Sequence, residues 1–256
     1  MFELSVHGGV AQVTLCRPPV NAISEEWGDA FMALLDGLEA RGDWRVLHLR
    51  SSQKVFAAGA DLAQIESWIE RPRPDAVLAA YIKRLQAVFA RLESLSRITL
   101  AEIGGAALGG GLELALACDL RIAAHEARIG LPEVGIGLIP GLGGTQRLTR
   151  LCGRGIASRM VLTAEPVGGQ EAQALGIVQW AVPRAELPEA AQRIAQRIAS
   201  LPLPALQAGK ELIAAQDAGQ GTGYALEREI GGSLLLTPEA NERITAFLRK
   251  SAAART

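Results

Sequence analysis

Two acids and a run of glycines are the residues here whose types and spacing could do chemistry. Gly109, Gly110 and Gly111 follow an apolar run and lead at once into the compact stretch Leu112–Cys118. That order predicts a strand, a tight turn and a helix start. The first amides of such a helix have no partner inside it and sit at the positive end of its dipole. They favour negative charge, whether a phosphate or an oxyanion formed during a reaction. Glu113 falls just inside that helix and Glu133 in the loop GLPEVGIG. An anion-stabilising turn with two acids beside it outlines an acid–base site. A second small-residue turn, FAAGAD at residues 56–61, also follows a strand and opens a helix. If the two strands are neighbours, the amides of Ala60 and Gly110 point at one spot, where they could hold an ester or thioester oxygen as it becomes an enolate. Taken singly, each turn reads as glycine permitting close helix–sheet packing. The pair, with acids adjacent, reads as a site.

The elements that must position these residues follow from periodicity. Residues 2–7 and 10–16 alternate and flank His7-Gly8-Gly9, which predicts a hairpin. Ser24 is a good N-cap for a helix through Ala40, with Trp27, Phe31, Leu34, Leu35 and Leu38 as its apolar stripe. Trp44–Arg50 predicts a strand, and Asp61 starts a second helix. A third helix, Ala76–Leu95, carries Leu78, Ile82, Leu85, Val88, Phe89 and Leu92 at helical spacing. Strands are expected at Ile98–Ile103, Leu120–Ala124 and Ile177–Val182. Beyond Pro183 the pattern is helical throughout, with Pro202, Pro204 and the Gly219–Gly223 run as breaks. The chain is thus expected to be α/β over residues 1–184, with a helical region over 185–256. Glu102 falls in a strand that should be buried, so its side chain is expected on a polar face or at a subunit contact.

Composition excludes several function classes. The formal net charge of the 256 residues is −1, which gives no global electrostatic case for nucleic acid or a membrane surface. The three cysteines are scattered and form no CxxC pair, so neither a disulfide framework nor a zinc site is expected, and a reducing, cytoplasmic compartment is. The start, MFELSVHGG, lacks the basic and apolar regions of a signal peptide, and acids interrupt the most apolar stretch before it could span a bilayer. The three histidines, His7, His48 and His125, suggest no cluster.

Several separated words resemble the crotonase superfamily, also called the enoyl-CoA hydratase/isomerase family: RPPVNAIS, VFAAGADL, GAALGGGLELALACDLRIAA, GLPEVGIGLIPGLGGTQRL, ALGIVQWAVP and the closing AFLRK. The resemblance implies a crotonase-like spiral of ββα turns with an all-helical C-terminal trimerisation region, assembled as a homotrimer or homohexamer. It implies an acyl-CoA thioester as substrate, no metal, and no cofactor beyond the CoA that the substrate carries. The oxyanion amides match Ala60 and Gly110, and the two glutamates of the family's hydratases match Glu113 and Glu133. Contacts to CoA and acyl group match Asn21, Ala22, Ala58, Ala60, Asp61, Leu62, Ala63, Gly109 and Gly110. Phe247 and Lys250 match residues that reach a neighbouring subunit's CoA. Many relatives carry lysine where this chain has Ala63. Because both glutamates are present, the resemblance favours hydration of a 2-enoyl-CoA. It leaves open Δ3,Δ2-enoyl isomerisation, hydration of a methylglutaconyl or cyclic dienoyl thioester, and a non-catalytic RNA-binding role. The acyl pocket is expected from the Ile65–Tyr81 region and the Leu131–Leu142 loop. Arg147 is expected to hold that loop together.

Overall fold

The computed structural model describes residues 1–71, 74–215, 222–235 and 237–253. The chain opens with β1 (Phe2–His7) and β2 (Val10–Leu15), the expected antiparallel hairpin. Ser24 caps α1 (Glu25–Glu39), its hydroxyl accepting from the amide of Trp27 at 3.2 Å. After β3 (Val46–Ser51) the FAAGAD turn leads into α2 (Leu62–Glu70), where Asp61 accepts from the amides of Ala63 and Gln64 as N-cap. There follow α3 (Asp75–Glu93), β4 (Ile98–Ile103), β5 (Ala107–Leu108) and α4 (Gly110–Leu116). Next come β6 (Leu120–Ala124), β7 (Arg128–Gly130), a 3-10 turn at Glu133–Ile136, and α5 (Gly144–Thr163). The remainder is β8 (Val167–Gly168), α6 (Gly169–Ala174), β9 (Trp180–Val182), α7 (Leu187–Ala199), α8 (Leu203–Ala214), α9 (Thr222–Leu235) and α10 (Pro238–Ala253).

The main sheet has the order β1-β2-β3-β4-β6-β9 and is parallel from β2 onward. A central parallel strand is covered on both faces, and β4 is buried along its whole length, Thr99 and Glu102 included. A second, small sheet of β5, β7 and β8 stands behind the glycine turn. One flank of the core is aromatic: Trp27 stacks on Phe31 at 4.8 Å, and Phe2 of β1 meets Trp27 edge-on at 5.4 Å. Helix α7 packs on β2, β3, β4 and β6 through Leu187, Ala190, Ala191, Ala195, Ile198 and Ala199.

Some expectations change. The strand at Ile177–Val182 shortens to β9, because Gly176 is at positive φ and the amides of Ile177 and Val178 turn back to the carbonyl of Ala172. Pro204 is not a break: it is the second residue of α8, where a missing amide costs no helical bond. Only the later half of the α3 stripe, Leu85, Val88, Phe89 and Leu92, is buried, and Ile82 is 39% exposed. Glu102 does not emerge on a polar face. It is 5% exposed, with Oε2 at 2.8 Å from Nε2 of buried His48 and Oε1 at 3.7 Å from Arg50. One of the histidines read as scattered therefore has a buried acid beside it.

Candidate active site

The two glycine-rich turns meet. Ile23 and Ala60 form a parallel bridge in which the Ile23 amide donates to Gly59 O and the Asp61 amide donates to Ile23 O. In that pattern the amide of Ala60 itself faces away from Ile23. The start of α4 lies against the same turn. A Cβ placed on Gly59 would lie 3.3 Å from the amide nitrogen of Gly110 and 2.9 Å from Leu108 O. Gly59 and Gly109 have φ of 99° and 53°, a region closed to most side chains, and each immediately precedes one of the two amides. Gly110 is the first residue of α4, so its N–H has no helical partner.

The turn is braced from below. Asn21, at φ 52° and 1% exposed, accepts the Arg17 amide at 2.9 Å. Its Nδ2 donates to Ser51 Oγ at 2.8 Å and Phe56 O at 2.9 Å. The guanidinium of Arg17 donates to Ala22 O and, at 2.7 Å, to Asp61 Oδ2. Asn21 thus positions the turn with its side chain, and any contact with a ligand falls to its main chain. Arg17, Ser51 and Phe56 were not singled out from sequence. The word RPPVNA held Arg17 and Asn21 at the spacing of a loop, but not the partners 30 and 35 residues away. Ala58 is tied by its amide to Val20 O. Leu62 and Ala63 lie exposed on the first turn of α2. Phe247 and Lys250 fall within α10, and their side chains lie outside the described residues.

Both glutamates reach this place. Glu113 is 1% exposed, and its Oε1 accepts the amides of Leu142 and Gly144, each at 2.7 Å. Those two amide holders, from the GLGG word, were also missed; a loop that returns to a helix 30 residues earlier leaves no local signal. Arg147 locks the same loop, donating to Leu142 O at 2.9 Å and to Glu93 at 2.8 Å, as expected of it. Glu133 opens the 3-10 turn, and its Oε1 stands 2.8 Å from where Gly109 would carry a Cβ. Its Oε2 is buried without a hydrogen-bond partner among the described residues. Burial lifts the Glu113 carboxyl to about 7; the charge of Glu133 adds to the rise and the two amides oppose it. Burial also lifts Glu133 above the usual carboxylate range. Two close carboxyls of this kind titrate as a pair and share protons unequally. The two amides favour a charge on Glu113 and the bare buried oxygen favours a proton on Glu133, while the rise of Glu113 under the charge of Glu133 runs the other way, so the shared proton belongs to the pair.

A pH profile follows with a definite sign. One carboxyl of the pair must be ionised to act as base, so kcat/KM rises with pH as the pair loses its first proton. The other must keep its proton to act as acid, so the rate falls again as the pair loses its second proton. A bell-shaped kcat/KM profile is expected. A profile flat from about pH 5 to about pH 9 contradicts the paired-acid reading.

Two acids with buried carboxyl oxygens beside main-chain amides with no helical partner can do acid–base chemistry on a carbonyl substrate that gathers negative charge on oxygen. The comparisons narrow that class. Residues 5–254 match the family described as enoyl-CoA hydratase/isomerase. A probable enoyl-CoA hydratase of Bacillus subtilis (strain 168) is 37% identical over 251 residues, covering 97% of this chain and 96% of that protein. The short-chain-enoyl-CoA hydratase of Clostridium acetobutylicum is 36% identical over 252 residues, covering 96% and 94%. The crystal structure of an enoyl-CoA hydratase from Bacillus anthracis superposes with a TM-score of 0.90 at 32% identity, covering 97% of this chain and 96% of that one. The chain belongs to the enoyl-CoA hydratase/isomerase family and has the crotonase fold.

Proposed function

We propose that the protein hydrates a 2-enoyl-CoA to a 3-hydroxyacyl-CoA, with Glu113 and Glu133 as its acid–base pair. The observation that carries this reading is the second acid. Glu113 is buried in the same pocket as Glu133, near enough for one charge to raise the other's pKa. Adding water needs one group to take a proton and one to give it. Glu113 accepts a proton from water as its oxygen bonds to the β-carbon. The double-bond electrons move toward the thioester oxygen, where the amides of Ala60 and Gly110 receive the charge. Losing one such donor costs about 3–4 kcal/mol of barrier. Glu133 then delivers its proton to the α-carbon. The pair ends with Glu113 protonated and Glu133 ionised, and proton exchange with solvent resets it.

CoA is carried by the substrate, and the reaction needs no further cofactor or metal. Asn21, Ala22, Ala58, Asp61, Leu62, Ala63 and Gly109 border its path, while Phe247 and Lys250 lie on the helix that would approach a neighbour's CoA. The division at residues 184 and 185 separates a core bearing the acids from helices that assemble a homotrimer or a pair of trimers. Exposed Ile213 and Tyr224, at 78% and 71%, support an assembly role for α8 and α9. No described helix is long and apolar enough to cross a membrane, and we place the enzyme in the cytoplasm.

The test is loss of the enoyl absorbance of crotonyl-CoA. Wild type is expected to hydrate it. Glu133→Gln is expected to lower kcat by about 10²–10⁴, the range for one general acid. A product with a shifted double bond instead of a hydroxyl would replace hydration by isomerisation, and no reaction with any enoyl-CoA would remove the reading.

A further inference from the structure

Glu113 takes its two hydrogen bonds from the loop Gly141-Leu142-Gly143-Gly144. Three glycines in four residues give a segment wide conformational freedom, and contacts must remove it before the loop can aim anything. The core removes only part. Leu142 is buried, but residues 135–139, which lead toward the loop, are exposed throughout. The rest comes from α3. Gln86 and Glu93 stand two turns apart, about 10 Å along one face of that helix. Gln86 Nε2 donates to Gly141 O at 2.7 Å. Glu93 Oε2 accepts Nε and Nη2 of Arg147 at 2.9 and 2.8 Å. Arg147 in turn donates through Nη1 to Leu142 O at 2.9 Å and through its own amide to Gly143 O at 2.9 Å.

These acceptors are the far ends of the peptides that hold the acid. Gly141 O and the Leu142 amide belong to one planar unit, and Gly143 O and the Gly144 amide to another. Fixing the carbonyl of a planar peptide fixes the direction of its N–H. Gln86 thus orients the first donor to Glu113, and Arg147 the second. Glu93 is what keeps the Arg147 side chain on the loop. Burial would raise the Glu93 carboxyl, but the hydrogen bonds and charges of Arg147 and Arg150 outweigh it and hold the group below the usual carboxylate range. Glu93 is therefore a fixed anion at neutral pH. Among charged groups, Glu133 adds to the rise that burial gives Glu113, and Arg147 opposes it. Arg147 favours an ionised Glu113 both through the peptides and through its charge.

Resting on the reading of Glu113 as one of the acid–base pair, we infer that Gln86 and Glu93 of α3 are positioning residues for the reaction: Gln86 directly, and Glu93 through Arg147, hold the two peptides whose amides fix the Glu113 carboxyl. Helix α3 acts on the chemistry through the loop.

The test compares wild type with Gln86→Ala and Glu93→Gln. Gln86 is exposed, so its replacement leaves the core untouched and changes no charge. Three quantities are read: crotonyl-CoA kinetics against pH, calorimetric binding of butyryl-CoA, which cannot be hydrated, and hydrogen exchange of the segment that contains the loop. Misplacing a catalytic group by about 1 Å costs up to about 10² in rate, so kcat should fall by about tenfold or more in each variant. Butyryl-CoA should bind as it does to wild type. The rising limb of kcat/KM should move to higher pH, because amides that are poorly aimed favour a charge on Glu113 less. Exchange in the loop should quicken. Loss of the Glu93 charge alone would move the limb to lower pH, so a shift in that direction in Glu93→Gln overturns its positioning role. A Gln86→Ala protein with wild-type kcat and an unmoved limb overturns that of Gln86. A lower melting temperature with an unmoved limb makes both contacts structural only, and also overturns the inference. If wild type fails to hydrate crotonyl-CoA while loop exchange still quickens in both variants, the hydratase reading falls and the hold of α3 on the Glu113 loop stands.

Discussion

Glu113→Gln is expected to remove hydration and, at alkaline pH, to make the protein more stable. The catalytic loss follows from what the amide keeps and what it lacks. Glutamine retains a carbonyl oxygen where Oε1 now accepts the amides of Leu142 and Gly144 at 2.7 Å, so the loop stays in place. It has no basic oxygen for the proton of water. General-base removal typically costs about 10²–10⁴ in rate, and acyl-CoA binding should change little because the amides of Ala60 and Gly110 are untouched. The outcome to look for is a fall in kcat with binding of a saturated acyl-CoA unchanged. Full turnover by Glu113→Gln would falsify the two-acid assignment.

The stability gain has the same origin. Burial lifts the Glu113 carboxyl from 4.5 to about 7 in the folded protein. The folded state therefore holds its proton more tightly than the unfolded chain. Its contribution is fully present below about 4.5 and is lost as pH rises through about 7, where the buried group is forced to ionise. A shift of that size corresponds to about 3 kcal/mol above pH 7. Glutamine never ionises. Denaturant titration should find the variant more stable than wild type at about pH 8, with the difference shrinking toward about pH 5. A gap independent of pH would show that repacking, not charge, set it. The site holds its acid at the expense of the fold around it, which is the expected relation when a buried group is kept for chemistry.

The sequence was most legible where the signal is local. Ser24 and Asp61 cap their helices as their types predict. Gly8-Gly9 turns the hairpin, and the strand–glycine–helix order located both turns of the cradle. What stayed hidden depends on register or on distance. Glu102 reads as an error in a buried strand until β3 is laid beside β4, which brings His48 to 2.8 Å. The sheet of β5, β7 and β8 is built from strands of two or three residues, too short to show a period. Helix α5 hides behind Gly153, whose φ of 81° kinks it and interrupts the pattern. The first half of the α3 stripe looked like core because its spacing is the same as that of core. Spacing reports that a face is apolar; it does not report whether protein or ligand covers it. Leu78 borders a cavity of about 240 Å³ between α2 and α3 and Ile82 stays exposed, so part of a face that reads as core was left over from folding.

Gly111→Ala is expected to damage both stability and turnover, because Gly111 is where the two turns are pressed together. A Cβ there would lie 2.0 Å from the carbonyl oxygen of Ala57, 2.7 Å from its carbon and 3.0 Å from its Cβ. The obstacle is backbone, and that backbone is pinned. Ala57 bridges Ala107, and its carbonyl accepts the amide of Leu108 at 3.1 Å. No side chain can swing aside, so α4 must move away from the FAAGAD turn. Overpacking of this kind costs about 1–3 kcal/mol, and more where nothing yields. The same displacement carries Gly110 away from Ala60 and moves Glu113 with it. A cradle opened by even a fraction of an ångström loses much of one donor, worth about 10²–10³ in kcat. The comparison is Gly37→Ala, exposed in the last turn of α1, where a methyl meets nothing within 4 Å. There alanine should add about 0.5–1 kcal/mol by restricting the unfolded chain, with turnover unchanged. Thermal melts and crotonyl-CoA kinetics on both variants separate the cases. A Gly111→Ala protein with wild-type melting and wild-type kcat would mean that helix and turn are free to part without consequence. Two amides on separate segments could not then be held to one oxygen. The proposed oxyanion cradle depends on contact between main chains, and a position without a side chain is what allows that contact.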